Sequence, residues 1–211
     1  MSGTKEGDEA QPAAIVPEEA TASRSNVSEV ALMQQPLVWV DLEMTGLDPE
    51  RHHIVEIAVI VTDGALERVQ EGPDLVVAAP AGALAAMDPV VVRMHEASGL
   101  IGEIRAATLT VGQAESQVLR FLSEHVPDSR SAPLAGNSVH ADRAFLRRHM
   151  PELEAYVHYR NVDVSTIKEL ARRWYPEVFE GAPAKDDGHR ALADIRASIQ
   201  ELRYYRRSVF R

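Results

Sequence analysis

The chain has 211 residues, 45% hydrophobic and 26% charged, which suits one globular domain with a sizeable core and requires no second. It lacks cysteine, so disulfides, zinc-thiolate sites and thiol nucleophiles are excluded together, and any metal falls to oxygen or imidazole ligands, the chemistry of magnesium or manganese. A net charge of -10 argues against a broad basic surface for long nucleic acid, while a short anionic ligand needs only a few local donors.

Residues 1–35 are rich in Glu, Ala, Ser, Thr and Pro without apolar periodicity and read as a disordered acidic tail; Met33, just before the first strand, is a candidate translation start. No run approaches the roughly 18 apolar residues of a membrane span, and no basic-then-apolar leader opens the chain, so the expected compartment is the cytoplasm. The domain is expected over 36–211. It begins with strands at 37–43, 54–62 and about 74–78, separated by the turn signals Asp63-Gly64 and Gly72-Pro73, an antiparallel meander.

Val111, Ala114, Val118, Leu119, Leu122 and Val126 have the spacing of one helical face, and 132–136 is a short apolar strand. Asn137 or Ser138 is the expected cap of a helix running to His149. A fifth strand is expected at 161–164, then a helix to about Trp174 opened by a Thr166–Glu169 capping box, then a last helix buried along Leu192, Ile195, Ile199 and Leu202. A three-strand meander followed by strands alternating with helices predicts an α/β domain with a mixed sheet covered by helices.

The chemistry centres on Asp41 and Glu43, inside the apolar run Leu37-Val38-Trp39-Val40-Asp41-Leu42-Glu43. Alternation along a strand puts both carboxylates on one face, and neighbouring anions away from water are tolerated when a cation sits between them. Asp142 falls in the first turn of a helix that follows a strand end. Asp194 lies in the last helix off its apolar stripe. His189 precedes Asp194 by five residues, about 140° of helical rotation, and so belongs to the loop entering that helix.

Three segments, D-L-E-M-T-G-L from Asp41, G-N-S-x-x-x-D-R-x-F-L from Gly136 and H-R-A-L-A-D-I from His189, resemble the exonuclease motifs of the DEDDh superfamily. The runs Met150 to Arg160 and Asp163 to Trp174 are similar to its oligoribonuclease family, and the likeness extends from about Leu37 to Arg206. It implies a ribonuclease H-like fold and a 3′-to-5′ exoribonuclease that cuts very short RNA, chiefly dinucleotides, with two magnesium or manganese ions. Asp41, Glu43 and Asp194 match direct metal ligands, Asp142 completes the acidic set, and His189 matches the general base.

The same resemblance makes Leu47 a wedge between bases and gives the terminal 5′-phosphate to His95, Ser138, Arg160 and Ser165. Tyr159 and Arg160 match positions supplied by a partner subunit, which implies a homodimer. Where many relatives carry a tryptophan beside a base, Val90 stands here, a loss of stacking worth about 1 kcal/mol.

Plainer readings exist for each residue alone. Asp41 and Glu43 could be strand-end polar groups, His189 a solvated loop histidine, Asp194 a surface carboxylate, His95 an exposed helix-end residue, Leu47 a core cover and Tyr159 interface packing. The cluster from Arg203 to Arg207 reads as helix surface plus packing, and Glu56, inside the second strand, has no role derivable from sequence. The competing functions are a DEDDh exonuclease acting on DNA or on 3′ ends of longer RNA, and a non-catalytic RNA-binding relative.

Overall fold

The computed structural model describes Met1 and residues 33–184 and 188–210. The tail expected over residues 2–32 and the loop residues Asp186 and Asp187 lie outside that set. The end of the expected tail lies within it: Met33 packs on the main hydrophobic cluster, and the Gln34 carbonyl accepts from the Gly64 N–H at 2.9 Å.

Five strands, β1 (Leu37–Met44), β2 (Ile54–Thr62), β3 (Val69–Val76), β4 (Pro133–Gly136) and β5 (His158–Asp163), form one sheet in the order β3-β2-β1-β4-β5. The first three pair antiparallel, β4 runs parallel to β1, and β5 parallel to β4, the mixed sheet the sequence predicts. Helices α1 (Ala81–Ala85), α2 (Pro89–Ala97), α3 (Leu100–Ala106), α4 (Val111–His125), α5 (His140–His149), α6 (Pro151–Tyr156), α7 (Val164–Trp174), α8 (Pro176–Glu180) and α9 (Ala191–Ser208) complete the described elements.

All nine residues of β2 are buried, because helices cover both faces of the sheet there. Alternation sorts the residues of β1. Val38, Val40 and Leu42 join the cluster that contains Val118, Leu122, Phe145 and Leu146 of α4 and α5. Trp39 points the other way, into a cluster with Ile195, Ile199 and Tyr205 of α9, and its indole Nε1–H donates to Thr62 Oγ1 at 2.9 Å. Asp41 and Glu43 share the parity of Trp39, so the strand's own pleat aims both toward the side that α9 covers.

Several boundaries differ from the sequence expectation. β3 starts at Val69, earlier than 74, because Gly72-Pro73 is not the turn that precedes it. The pair lies within an edge strand, where the register slips between Ala58↔Asp74 and Ile60↔Glu71, and a residue lacking an N–H is tolerated at such a site. β5 starts at His158 rather than 161. At the other edge its exposed, polar first half carries no apolar alternation to read.

The helix caps differ as well. Helix α5 starts at His140 with no side-chain cap, and α7 is capped by Asp163, whose carboxylate accepts from Ser165 N–H at 2.9 Å, not by Thr166. The short helices α1 to α3, in a stretch the sequence left without elements, carry too few turns for a periodic signal.

At Gly72 an added Cβ would lie 2.4 Å from Cε1 of Phe121 on α4. Gly72→Ala is therefore expected to lower stability by about 1–3 kcal/mol through overpacking, read from the urea midpoint, and Gly72→Ala/Phe121→Leu should regain part of that loss.

Candidate active site

Oxygens of Asp41, Glu43 and Asp194 lie within 4.8 Å of one another, the first two from the end of β1 and the third from the first turn of α9. Asp142, from the first turn of α5, stands beside this trio. Its Oδ1 accepts from the N–H of Leu42 at 3.1 Å, tying the helix to the strand between the two acids. Four carboxylates from three distant stretches are thus gathered at one end of the central strand.

Their crowding is visible in their proton affinities. Burial, followed by the charges of Glu56, Asp194 and Asp142, pushes the Glu43 carboxyl up to about 8 against the opposing pull of Arg190. Burial also pushes Asp142 up to about 7, although the Leu42 N–H bond favours its ionised form. A set of oxygens that resists carrying its full negative charge, and that converges within a few ångströms, suits a divalent cation.

One histidine adjoins the acids, and a second precedes the helix that carries Asp194. His95 on α2 is fully buried, donates from Nε2 to the Met44 carbonyl at 3.0 Å, and sets Nδ1 3.9 Å from Glu43 Oε2. Both nitrogens face protein groups, and the burial differs from the exposed helix-end reading. Burial lowers its pKa against the opposing effect of the bond to the Met44 carbonyl, and the nearby His189 ring adds a smaller lowering. His189 lies in the loop before α9, as its spacing from Asp194 predicts, with a left-handed φ of 44°.

The residue after it is firmly held. Arg190 donates from Nε to Glu56 Oε1 at 2.9 Å and from Nη1 and Nη2 to Glu103 at 2.9 and 3.1 Å. Glu56, fully buried and opposite Glu43 in the β1–β2 register, also accepts from Ala191 N–H at 3.1 Å. It therefore fixes the N-terminus of the helix that delivers Asp194 and closes one end of the His189 loop. This is the role missing from the sequence reading. A carboxylate inside a nine-residue apolar strand was the available signal, since such a group needs buried partners.

The residues expected to meet substrate fall into three groups. Ser138, held at φ 52°, and Ser165 meet through their hydroxyls at 3.2 Å, and Ser138 N–H donates to Asp163 Oδ1 at 3.0 Å. Ser165 Oγ donates to Asn137 Oδ1, Asn137 Nδ2 to Ser198 Oγ, and Ser198 Oγ to the Asp194 carbonyl, so one polar chain joins these serines to α9. On the other side Leu47, 85% exposed, and Val90 line a cleft of about 900 Å³ with His52, Met87 and Met94. Tyr159, 67% exposed, and Arg160 project from edge strand β5, with the guanidinium 5.5 Å from the ring centre.

An exonuclease family model, RNase_T, matches residues 38–202. Oligoribonuclease of Rhodococcus jostii is 55% identical over 84% of this chain and 89% of its own length. That of Corynebacterium efficiens is 55% identical over 91% and 87%. The chain belongs to the oligoribonuclease family of exonucleases. Oligoribonuclease of Mycobacterium tuberculosis is 52% identical over 84% of this chain and 83% of its own.

Among solved structures, the zinc-bound complex of E. coli exonuclease I with single-stranded DNA superposes with a TM-score of 0.62 at 15% identity, over 85% of this chain and 42% of that one. Product-bound exonuclease I gives 0.61 at 17% identity, over 83% and 44%. The chain thus spans less than half of those proteins, and the likeness establishes the ribonuclease H-like fold that this oligoribonuclease-family chain shares with them.

Divalent cations must displace the protons that burial and repulsion hold on Glu43 and Asp142, so their affinity is expected to rise with pH up to about 8, by calorimetry on metal-free protein at pH 6, 7 and 8. The stability of the metal-free protein should move oppositely. A carboxyl raised in the folded state contributes fully below its ordinary value and loses that contribution as pH climbs through 7 to 8, so the urea midpoint should fall across this window.

Proposed function

We propose that this chain is a 3′-to-5′ exoribonuclease that hydrolyses very short RNA, chiefly dinucleotides, to nucleoside 5′-monophosphates. The observation that carries this reading is the convergence of Asp41, Glu43 and Asp194 within 4.8 Å in a chain 55% identical to named oligoribonucleases. The described residues form one five-stranded sheet domain, and no described helix is long and apolar enough to cross a membrane; the proposed compartment is the cytoplasm.

Asp41, Glu43 and Asp194, with Asp142 beside them, would hold two magnesium or manganese ions, which supply electrophilic charge at the phosphodiester and at the departing 3′-oxygen. The side chains do the rest. His189, in the loop between Gly188 and the clamped Arg190, takes the proton of the attacking water, and the buried fully paired Glu56 keeps Asp194 and the end of that loop in register. His95 would support Glu43 from behind, in addition to the phosphate contact that the resemblance implies for it.

Leu47 separates the two bases, Val90 offers an aliphatic wall in place of a stacking ring, and Ser138 and Ser165 receive the terminal 5′-phosphate. Tyr159 and Arg160, exposed on an edge strand, serve the site of a second copy in a homodimer. A phosphate-binding end wall selects short substrates because a longer chain has no path through it.

Turnover of a 5′-phosphorylated dinucleotide should exceed that of a 20-mer RNA or a DNA dinucleotide and should stop with chelator and return with magnesium or manganese; equal cutting of the 20-mer would refute the short-substrate reading. His189→Ala, folded by circular dichroism, should lose a factor on the order of 10² to 10⁴ in kcat, while a wild-type rate would remove the histidine from the chemistry.

A further inference from the structure

Strand β5 does not pair evenly with β4. The register jumps from Pro133↔His158 to Leu134↔Asn161, one step on β4 against three on β5, and the two surplus residues are Tyr159 and Arg160. Such a bulge turns side chains away from the pleat and leaves backbone groups without a ladder partner.

Beneath it lies Arg143, whose side chain is 8% exposed. Its Nη2 donates to the His158 carbonyl at 2.9 Å. Its Nη1 donates to the Arg160 carbonyl at 3.3 Å and to Asn161 Oδ1 at 2.6 Å, and its Nε reaches Glu154 Oε1 at 3.1 Å. Three of the four bonds end on the bulged strand, before, at and after the surplus pair. A planar fork of donors can serve acceptors spread in this way, and the point-like ammonium of a lysine cannot.

The bulge is also ordered from above. Arg160 N–H donates to His158 Nδ1 at 3.1 Å, and the His158 ring lies 4.4 Å from that of Tyr159, on which Arg160 rests.

We propose that Arg143 is a positioning residue for substrate recognition: its guanidinium holds the β5 bulge in the shape that projects Tyr159 and Arg160 toward the dinucleotide. The inference rests on the reading that those two side chains meet substrate. Arg143 follows Asp142 directly, and the two diverge. Asp142 bonds to β1 beside the acids, whereas Arg143 bonds to β5, so one helical turn of α5 sets both the acid cluster and the recognition strand. A bare structural ion pair would need only Glu154, whose same oxygen Arg147 also reaches at 3.2 Å.

Arg143→Lys and Arg143→Met are compared with wild type on a 5′-phosphorylated RNA dinucleotide and on the p-nitrophenyl ester of thymidine 5′-monophosphate, which has no second nucleotide to reach β5. With folding checked by circular dichroism, the dinucleotide KM is expected to rise about tenfold in both variants, with kcat and hydrolysis of the ester close to wild type. Introduced into Tyr159→Ala/Arg160→Ala, Arg143→Met should add no further rise in KM, because the groups it positions are gone. A lost ester activity, a full additional KM effect in that background, or failure of both single variants to fold overturns the proposal.

Mixed subunits separate it from the reading beneath it. Arg160→Ala with His189→Ala, and Arg143→Met with His189→Ala, should both regain dinucleotide turnover at the wild-type KM, since each mixture assembles one intact composite site. Recovery in the first mixture alone overturns the role of Arg143. Recovery in neither withdraws the two-subunit reading, and the additivity measurement still decides whether Arg143 acts through Tyr159 and Arg160.

Discussion

Carboxylates that repel one another are held together at the end of β1, and much of the surrounding structure serves to keep them there. Glu43 would relieve its repulsion by turning outward if its strand were free, but β1 is the middle strand of the sheet, with β2 on one side and β4 on the other. The backbone ladder therefore absorbs the strain. Asp142 is fastened to the Leu42 N–H, and Asp194 is carried by a helix whose first N–H is bonded to the buried Glu56. The energy stored in the cluster appears as the raised proton affinity of Glu43 and Asp142, and it is released when positive charge arrives.

Glu56 adds a fifth carboxylate beside those four and raises Glu43 further, against the opposing pull of Arg190. Arg190 answers Glu56 and Glu103 at once, so the loop that carries His189 is anchored immediately after that residue. His189 has a left-handed backbone, and the clamped Arg190 fixes the chain directly after it. Ser138, which also has a left-handed backbone, is fixed through its backbone N–H, by Asp163 and Ser165.

Burial falls from the centre of the sheet to its edges, and the expected roles follow that gradient. The acids sit on the most buried strand pair, where small displacements would be felt most in chemistry. Recognition residues stand on exposed features: Leu47 after the Gly46 turn, Val90 at the start of α2, and Tyr159 and Arg160 on β5. At Gly46 an added Cβ would lie 2.5 Å from Nε2 of His52, whose Nδ1 accepts from Asp48 N–H, so even the exposed Leu47 is flanked by a packed support. The bulge over Arg143 does the same for β5.

The amino-acid sequence alone determined the meander, the long helices, the parity that puts Asp41 and Glu43 on one face, and the loop position of His189, because strand alternation and helical spacing are local and periodic. It also carried the motifs that place the chain among oligoribonucleases. The tertiary structure alone decided the sites of Glu56, Arg190 and Arg143, the inward turn of His95, and the bulge at Tyr159 and Arg160. A buried charge is located by partners up to 135 residues away, and an edge strand by the register of its neighbour; neither leaves a period to read.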